Sequence, residues 1–426
     1  MEPPLSPLFQ SRTPSSIRLT QIEFMKRTDG VRAVNVAIGN VSLPMHPAMI
    51  QRMFSLSAPE SPFHNGVVKY SATVGEQETN QAFLHLIATS GFSVEGLYSQ
   101  VTEGASQAME LVMLGVCGPA GSNERPLLLI DPLYSNYPSI AERIGRPFIT
   151  AHRTLRENGK FSLPDLHAVE ELIRTKKPAA MLVIPYDNPT GQFFPQQALN
   201  ELAKLCVKYN LWFISDEAYR EVFYTGDHAS SIWGVNVPGI AGRRISIESA
   251  SKIWNACGLR IGSIVTDNKT FHRQAIAENT ANLCPNVIGQ YIFGALLHES
   301  KEALQSWFAQ QRTYYQNMAK QVTEQLKKAV PELIVSTPEA ALYTVLDLRL
   351  PDFNAQDFVL FCAKEGSVLL GGIPTTLLLA PMSGFYTTEP NPGKTQLRLA
   401  YVEPPEVMAE VPDLFRELLH QFRNRY

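Results

Sequence analysis

The chain has 426 residues, 45% of them apolar and 18% charged, with a formal net charge of −3, which suits a large buried core and excludes a disordered protein. The near-neutral balance and the lack of any Lys/Arg block exclude an electrostatic footprint for a nucleic-acid backbone. Residues 1–10 carry prolines and no positive stretch ahead of an apolar run, and no apolar run approaches the ~20 residues that cross a bilayer, so no membrane partner is expected and a cytoplasmic location is.

In chain order, the spacing predicts a helix from Ser106 to Cys117, a strand at Leu127–Ile130, a helix-like stretch over Ser135–Ile144 and a strand at Ala179–Pro185. A helix from Gln196 to Tyr209 and strands at Leu211–Asp216, Arg243–Glu248 and Ile261–Thr266 follow. Short apolar runs without polar alternation, separated by helices, indicate strands buried on both faces. The expected fold class is therefore α/β, with a large domain built on a mostly parallel sheet covered by helices. After Pro285 a long helical region runs to about Val330. The pattern then changes to strands at Ile334–Ser336, Leu342–Leu348, Val368–Leu370 and Leu397–Tyr401, with a closing helix to about Arg423. This reads as a smaller α+β domain. The expected boundaries are 1–45 for an N-terminal segment packed on the small domain, 46–300 for the large domain and 301–426 for the small one.

The residues that carry chemistry sit where these elements end. Lys252, in Ser249-Ala250-Ser251-Lys252, follows a buried strand and precedes Arg260. A lone lysine is normally a solvated surface residue, but hydroxyls and an arginine beside an amine fit a phosphate pocket with a Schiff base. Asp216 closes the run Leu211–Ser215 and is followed by Tyr219; alone it would be a helix N-cap, yet the carboxyl end of a central strand is where open α/β sheets bind ligands. Asn188-Pro189-Thr190-Gly191 follows another strand and is also a good plain turn. Gly104-Ala105-Ser106-Gln107 opens a helix whose free N–H groups and dipole suit an anion, although many glycines precede helices for packing reasons. The five cysteines, Cys117, Cys206, Cys257, Cys284 and Cys362, lack metal-ligand spacing and read as small apolar residues in a reducing compartment.

Taken in this order, the motifs resemble the class I/II aminotransferases, the fold type I pyridoxal-phosphate enzymes, over about Val34 to Tyr401. Ser251-Lys252 with Gly258, Arg260 and Gly262 matches the family's lysine signature. The resemblance implies a seven-stranded type of sheet and pyridoxal 5′-phosphate as cofactor. By the same resemblance Lys252 forms the Schiff base and then moves the proton between the substrate Cα and the cofactor carbon, while Arg260, with Ser249, Ser251 and the Gly104–Gln107 turn, holds the phosphate. Asp216 pairs with the pyridine nitrogen, so that the ring draws off carbanion charge, and Asn188 and Tyr219 hydrogen-bond the ring oxygen. Tyr134 stacks on the ring, although a core tyrosine is its plainer reading. Tyr70, five residues before Gly75, is the tyrosine donated to the phosphate across a homodimer interface. Arg398 grips the substrate α-carboxylate, a task that suits a planar guanidinium, and Gly39 belongs to the loop closing over the substrate.

The expected reaction is transamination from an amino acid to a 2-oxo acid by two half-reactions through pyridoxamine phosphate. Alternatives are β-elimination or another reaction of the same scaffold, and an aminotransferase-like sensor without catalysis. Retention of an α-carboxylate site at Arg398 counts against decarboxylation. The chain departs from the pattern at Thr79 and Asn80, where Leu-Arg is usual, and in Pro381–Tyr386. One aspartate-active branch has a lysine at the position of Ser106 and another an arginine near Asn279; neither cation is present, which leaves Arg273 as the candidate cation. Tyr343 and Ile17 are further candidates for the substrate wall. Gly393-Lys394-Thr395 lacks the first glycine of a P-loop, and His298-Glu299 lacks the second histidine of a zinc motif, so neither ATP nor a metal is expected.

Overall fold

The computed structural model describes residues 3–118, 125–226 and 228–425. Its strands are, in order, β1 (Arg32–Asn35), β2 (Tyr98–Thr102), β3 (Leu127–Asp131), β4 (Phe148–His152), β5 (Ala180–Val183), β6 (Trp212–Asp216), β7 (Arg244–Ser249) and β8 (Gly262–Thr266). There follow β9 (Ile334–Val335), β10 (Tyr343–Asp347), β11 (Val368–Leu370), β12 (Ile373–Leu378), β13 (Ala380–Pro381) and β14 (Gln396–Ala400).

β2 to β8 form a seven-stranded sheet in the order β2-β8-β7-β6-β5-β3-β4. β8 runs antiparallel to both neighbours and the remaining pairings are parallel. β3 and β5 are buried at every residue, which is why they read as unbroken apolar runs. Of these seven strands, the two that the sequence pattern did not predict, β2 and β4, are the sheet edges. β4 is largely half-exposed and ends on exposed His152, so its polar positions hide the strand signal. Helices Gly104–Val116, Asn136–Arg143 and Lys269–Asn279 supply the core on one face of the sheet, and helices Leu166–Lys176 and Gln196–Lys208 that on the other.

The smaller part has two sheets, β1-β12-β11 and β13-β14-β10-β9. β1 pairs parallel to β12, with Arg32 opposite Thr375, so the N-terminal segment completes a sheet made from the far end of the chain. The helical region after Pro285 is interrupted: helix Val287–Gly294 and a 3₁₀ turn end at Glu299, and Ser300 Oγ then caps a new helix, Lys301–Ala329, by accepting from Ala303 N. That helix buries Leu304, Phe308, Gln311, Tyr315, Met318, Val322 and Leu326 at three- and four-residue intervals, each large apolar side chain contributing ~1.5–3 kcal/mol. Among the described residues no helix is long and apolar enough to cross a membrane.

Candidate active site

The carboxyl ends of the parallel strands open on a cavity of about 640 Å³, the usual ligand position in such a sheet. β6 delivers Asp216, β7 delivers Ser249 and the turn to Lys252, and the segments after β3 and β5 deliver Tyr134 and Asn188.

Lys252 is half-buried, and its Nζ donates to Gly39 O and lies 3.9 Å from Cys257 Sγ. Gly39 is required by this approach: a Cβ there would overlap Tyr343 Oη and sit 3.2 Å from Lys252 Nζ. Asp216 is buried and accepts from Ala218 N (3.1 Å) and from the Tyr137 hydroxyl. Burial pushes its pKa up; the Tyr137 and Ala218 hydrogen bonds oppose that shift. Tyr219 Oη is 2.6 Å from Tyr343 Oη, and burial, then Tyr343, raises its pKa well above the usual phenol value. Tyr134 also lines the cavity, and burial lifts its pKa to about 12.

On the opposite side Gly104, with φ of +74°, turns the chain into helix Gly104–Val116, and any Cβ on Gly104 would overlap the Arg260 guanidinium. A Cβ on Gly262 would lie 2.7 Å from Ala105 N. Two glycines thus bring the helix N-terminus, Ser249, Ser251 and Arg260 around one corner of the cavity, an anion cradle made of N–H groups, hydroxyls and a cation.

Arg398, 2% exposed, is held between the rings of Tyr343 and Phe385, 4.4 and 5.0 Å from their centroids. Its Nη1 donates to Asn188 Oδ1 (2.9 Å) and its Nη2 to Ala37 O (2.7 Å), while Nε has no hydrogen-bond partner among the described residues. A buried guanidinium with no carboxylate within ion-pair distance among the described residues calls for an anionic ligand. Asn188 spends its oxygen on Arg398, which leaves its Nδ2 as a donor. The divergent Pro381–Tyr386 stretch forms a turn that docks on the end of β3: Leu133 N donates to Phe385 O (2.8 Å) and Thr387 N to Asp131 Oδ2 (2.9 Å). At the other departure, Thr79 is buried and donates to Gln290 O.

Three expected residues lie elsewhere. Gln107 turns back, accepting from Glu103 N (2.6 Å) and donating to Asn279 Oδ1 (3.3 Å), because a helix start leaves N–H groups to be capped. Arg273 is exposed, since Phe271, Ala275 and Asn279 at four-residue spacing take the inward face of their helix. Tyr70 is 79% exposed and does not reach this chain's cavity. Conversely, Tyr137, Cys257, Arg18 and Glu403 line the cavity and were not singled out for it from sequence. Arg18 stands on helix Ser16–Phe24, which Ser15 caps and which packs against helix Ala355–Lys364 and β13. Its guanidinium donates only to Gln21 Oε1 (3.3 Å) among the described residues. Burial raises the Glu403 pKa, and Arg32 and the backbone of Asn35 oppose that shift.

Behind Asp216, Glu217, Arg220 and Glu248 form a buried cluster. Arg220 Nη2 lies 2.7 Å from Glu217 Oε2 and 2.6 Å from Glu248 Oε1, and burial pushes the Glu217 pKa up to about 7.

An amine, a buried acid, a corner of N–H groups, hydroxyls and a cation, and a buried guanidinium thus face one cavity. A family model described as "Aminotransferase class I and II" matches residues 37–383. The aspartate/prephenate aminotransferase of Thermus thermophilus is 25% identical over 285 residues, covering 66% of this chain and 69% of that protein. The arginine–pyruvate transaminase of Pseudomonas aeruginosa is 28% identical over 274 residues, covering 63% and 64%. The solved aspartate aminotransferase from Thermus thermophilus with maleate superposes with a TM-score of 0.80 at 21% identity, over 98% of this chain and all of that one (100%). The chain belongs to the class I and II aminotransferases and is a transferase.

Proposed function

We propose that this protein is a pyridoxal 5′-phosphate-dependent aminotransferase that moves the α-amino group of an L-amino acid to a 2-oxo acid in two half-reactions. The observation that carries this reading is the placement of Lys252, Asp216 and Arg398 around one cavity. When bound, the cofactor supplies an aldehyde carbon to carry the amino group and a ring to take up carbanion charge. Lys252 holds the proton that leaves and returns at the substrate Cα. Asp216, whose hydrogen bonds from Tyr137 and Ala218 N oppose the effect of its burial, holds a proton on the pyridine nitrogen. Arg260, Ser249, Ser251 and the N–H groups at Ala105 and Ser106 bind the phosphate, and Tyr219 and Asn188 donate to the ring oxygen. Arg398 orients the α-carboxylate, so that Cα faces Lys252. Exposed Tyr70 suits a contact with the phosphate of a second subunit, which supports a homodimer.

Arg18 supports donors with an acidic side chain, because it is a cavity cation with no carboxylate partner among the described residues. The relatives are named for aspartate in one case and arginine in another, and Arg18 favours the former class. The test is the visible spectrum of the purified protein with single amino acids and no oxo acid. Conversion of the cofactor to its amine form supports transamination. A persistent band, or steady ammonia release, overturns it in favour of elimination. Lys252→Ala abolishes turnover, and retained turnover removes Lys252 from its role.

A further inference from the structure

We propose that Cys257 and Lys252 are a covalent modification site at which peroxide joins the two side chains through an S–N bond. The chain doubles back between them: Asn255 N donates to Lys252 O (3.0 Å) and Ala256 N to Ala250 O (3.2 Å), which turns both side chains into the cavity. Cys257 Sγ lies 3.9 Å from Lys252 Nζ and 3.9 Å from Gly39 O, the carbonyl to which the amine itself donates. The thiol donates to Ser251 O (2.8 Å), so its position is fixed as well as near. A pair held this way reacts as an intramolecular one.

Selectivity follows from the surroundings of the other thiols. Cys117, Cys206 and Cys362 are buried, and burial pushes the Cys117 pKa up to about 12 and the other two further, which keeps them as unreactive thiols. Cys284 is half-exposed but lies outside the cavity and serves as an internal competitor. Peroxide oxidises the Cys257 sulfur by two electrons to the sulfenic acid and is itself reduced to water. The Lys252 nitrogen lone pair then attacks that sulfur; the S–OH bond breaks, and hydroxide leaves with a proton from nitrogen as a second water. A small thiol reverses the step by attacking the S–N sulfur, giving a mixed disulfide and the free amine, and a further thiol releases Cys257. While the bond stands, Lys252 has no amine to offer.

This inference does not rest on the transaminase reading, because the bond forms or fails to form whatever Lys252 does in turnover. The experiment treats the full-length chain, freed of small molecules, with hydrogen peroxide, and follows it by trypsin digestion and mass spectrometry without reductant. The expected product is one peptide from Ile245 to Arg260, uncut after Lys252, two hydrogens lighter than its sequence, and cut normally after dithiothreitol. Cys257→Ser gives no such peptide, and in Lys252→Arg a sulfenic acid at Cys257 is trapped by dimedone. Oxidation of Cys257 to its sulfinic acid with Lys252 still cleaved, or oxidation of Cys284 alone, overturns the proposal. Pyridoxal 5′-phosphate added first, whose aldehyde competes for the amine, suppresses the linked peptide. If the peptide forms equally well with it, the cross-link stands and the assignment of Lys252 to the cofactor falls.

Discussion

Tyr137→Phe removes one of the two hydrogen bonds that Asp216 accepts and leaves the other, from Ala218 N, in place. A hydrogen bond to a charged group contributes about 1.5–3 kcal/mol. The Asp216 pKa, already raised by burial, should rise further when the opposing Tyr137 hydrogen bond is lost. Asp216 binds a pyridinium only when ionised, so affinity for pyridoxal 5′-phosphate should fall as pH drops, and in the variant this fall should begin at a higher pH. The assay is cofactor binding to the cofactor-free chain by absorbance or fluorescence from acid to alkaline pH, with thermal melting as a folding control. Spread over a chain of 426 residues, the loss of this hydrogen bond should lower the melting temperature by only a few degrees. An unchanged pH profile in a folded variant would refute the assignment of Tyr137 as a group that opposes the effect of burial on Asp216.

Gly39→Ala places a methyl group against Tyr343 Oη and 3.2 Å from Lys252 Nζ; turnover should fall while the melting temperature holds, and unimpaired kcat would mean that the 38–40 loop moves freely away from Lys252. Arg18→Gln removes one charge-assisted contact, so kcat/KM for aspartate, glutamate or 2-aminoadipate should fall roughly ten- to a hundredfold while leucine is little affected; an equal loss for all donors defeats the acidic-donor reading. For Glu217, burial raises the folded pKa from the ordinary carboxylate range to about 7. Its contribution to stability is therefore complete below the unfolded value and lost as pH rises through the folded one. Glu217→Gln keeps an oxygen to accept from Ser231 Oγ and Ile232 N, and denaturation at acid and neutral pH should show a smaller loss than in the parent chain; identical losses would assign the pH dependence elsewhere.

Much of the cavity was legible because its residues stand in short contiguous motifs at strand ends. The run Leu211–Asp216 announces both β6 and the acid that closes it, and Ser249–Lys252 announces β7 and its turn. The illegible part depends on long-range placement. Arg18 reaches the cavity only because its helix packs on Ala355–Lys364, and no local pattern encodes that contact. Tyr137 reads as one apolar position of an amphipathic helix until its hydroxyl is seen on Asp216. Gln107 and Arg273 do not line the cavity, for helical reasons: one side chain is taken by a helix start and the other lies on the outward face. β1 went unnoticed because it has four residues and one buried position, and β12 because it opens on two exposed residues, one of them Pro374; the two pair from opposite ends of the chain.

The pairing of β1 with β12 sets an order of events during synthesis. The first strand emerges from the ribosome with no partner, while β2 to β8 and the turn carrying Lys252 follow and have one another to fold against. Arg398 and β12 come last, and only then is Arg32–Asn35 taken up and the loop at Gly39 brought over Lys252. The half of the cavity that faces a cofactor is thus complete before the half that faces a substrate exists. A chain still in synthesis holds the residues proposed for a cofactor before it holds the arginine proposed for a substrate.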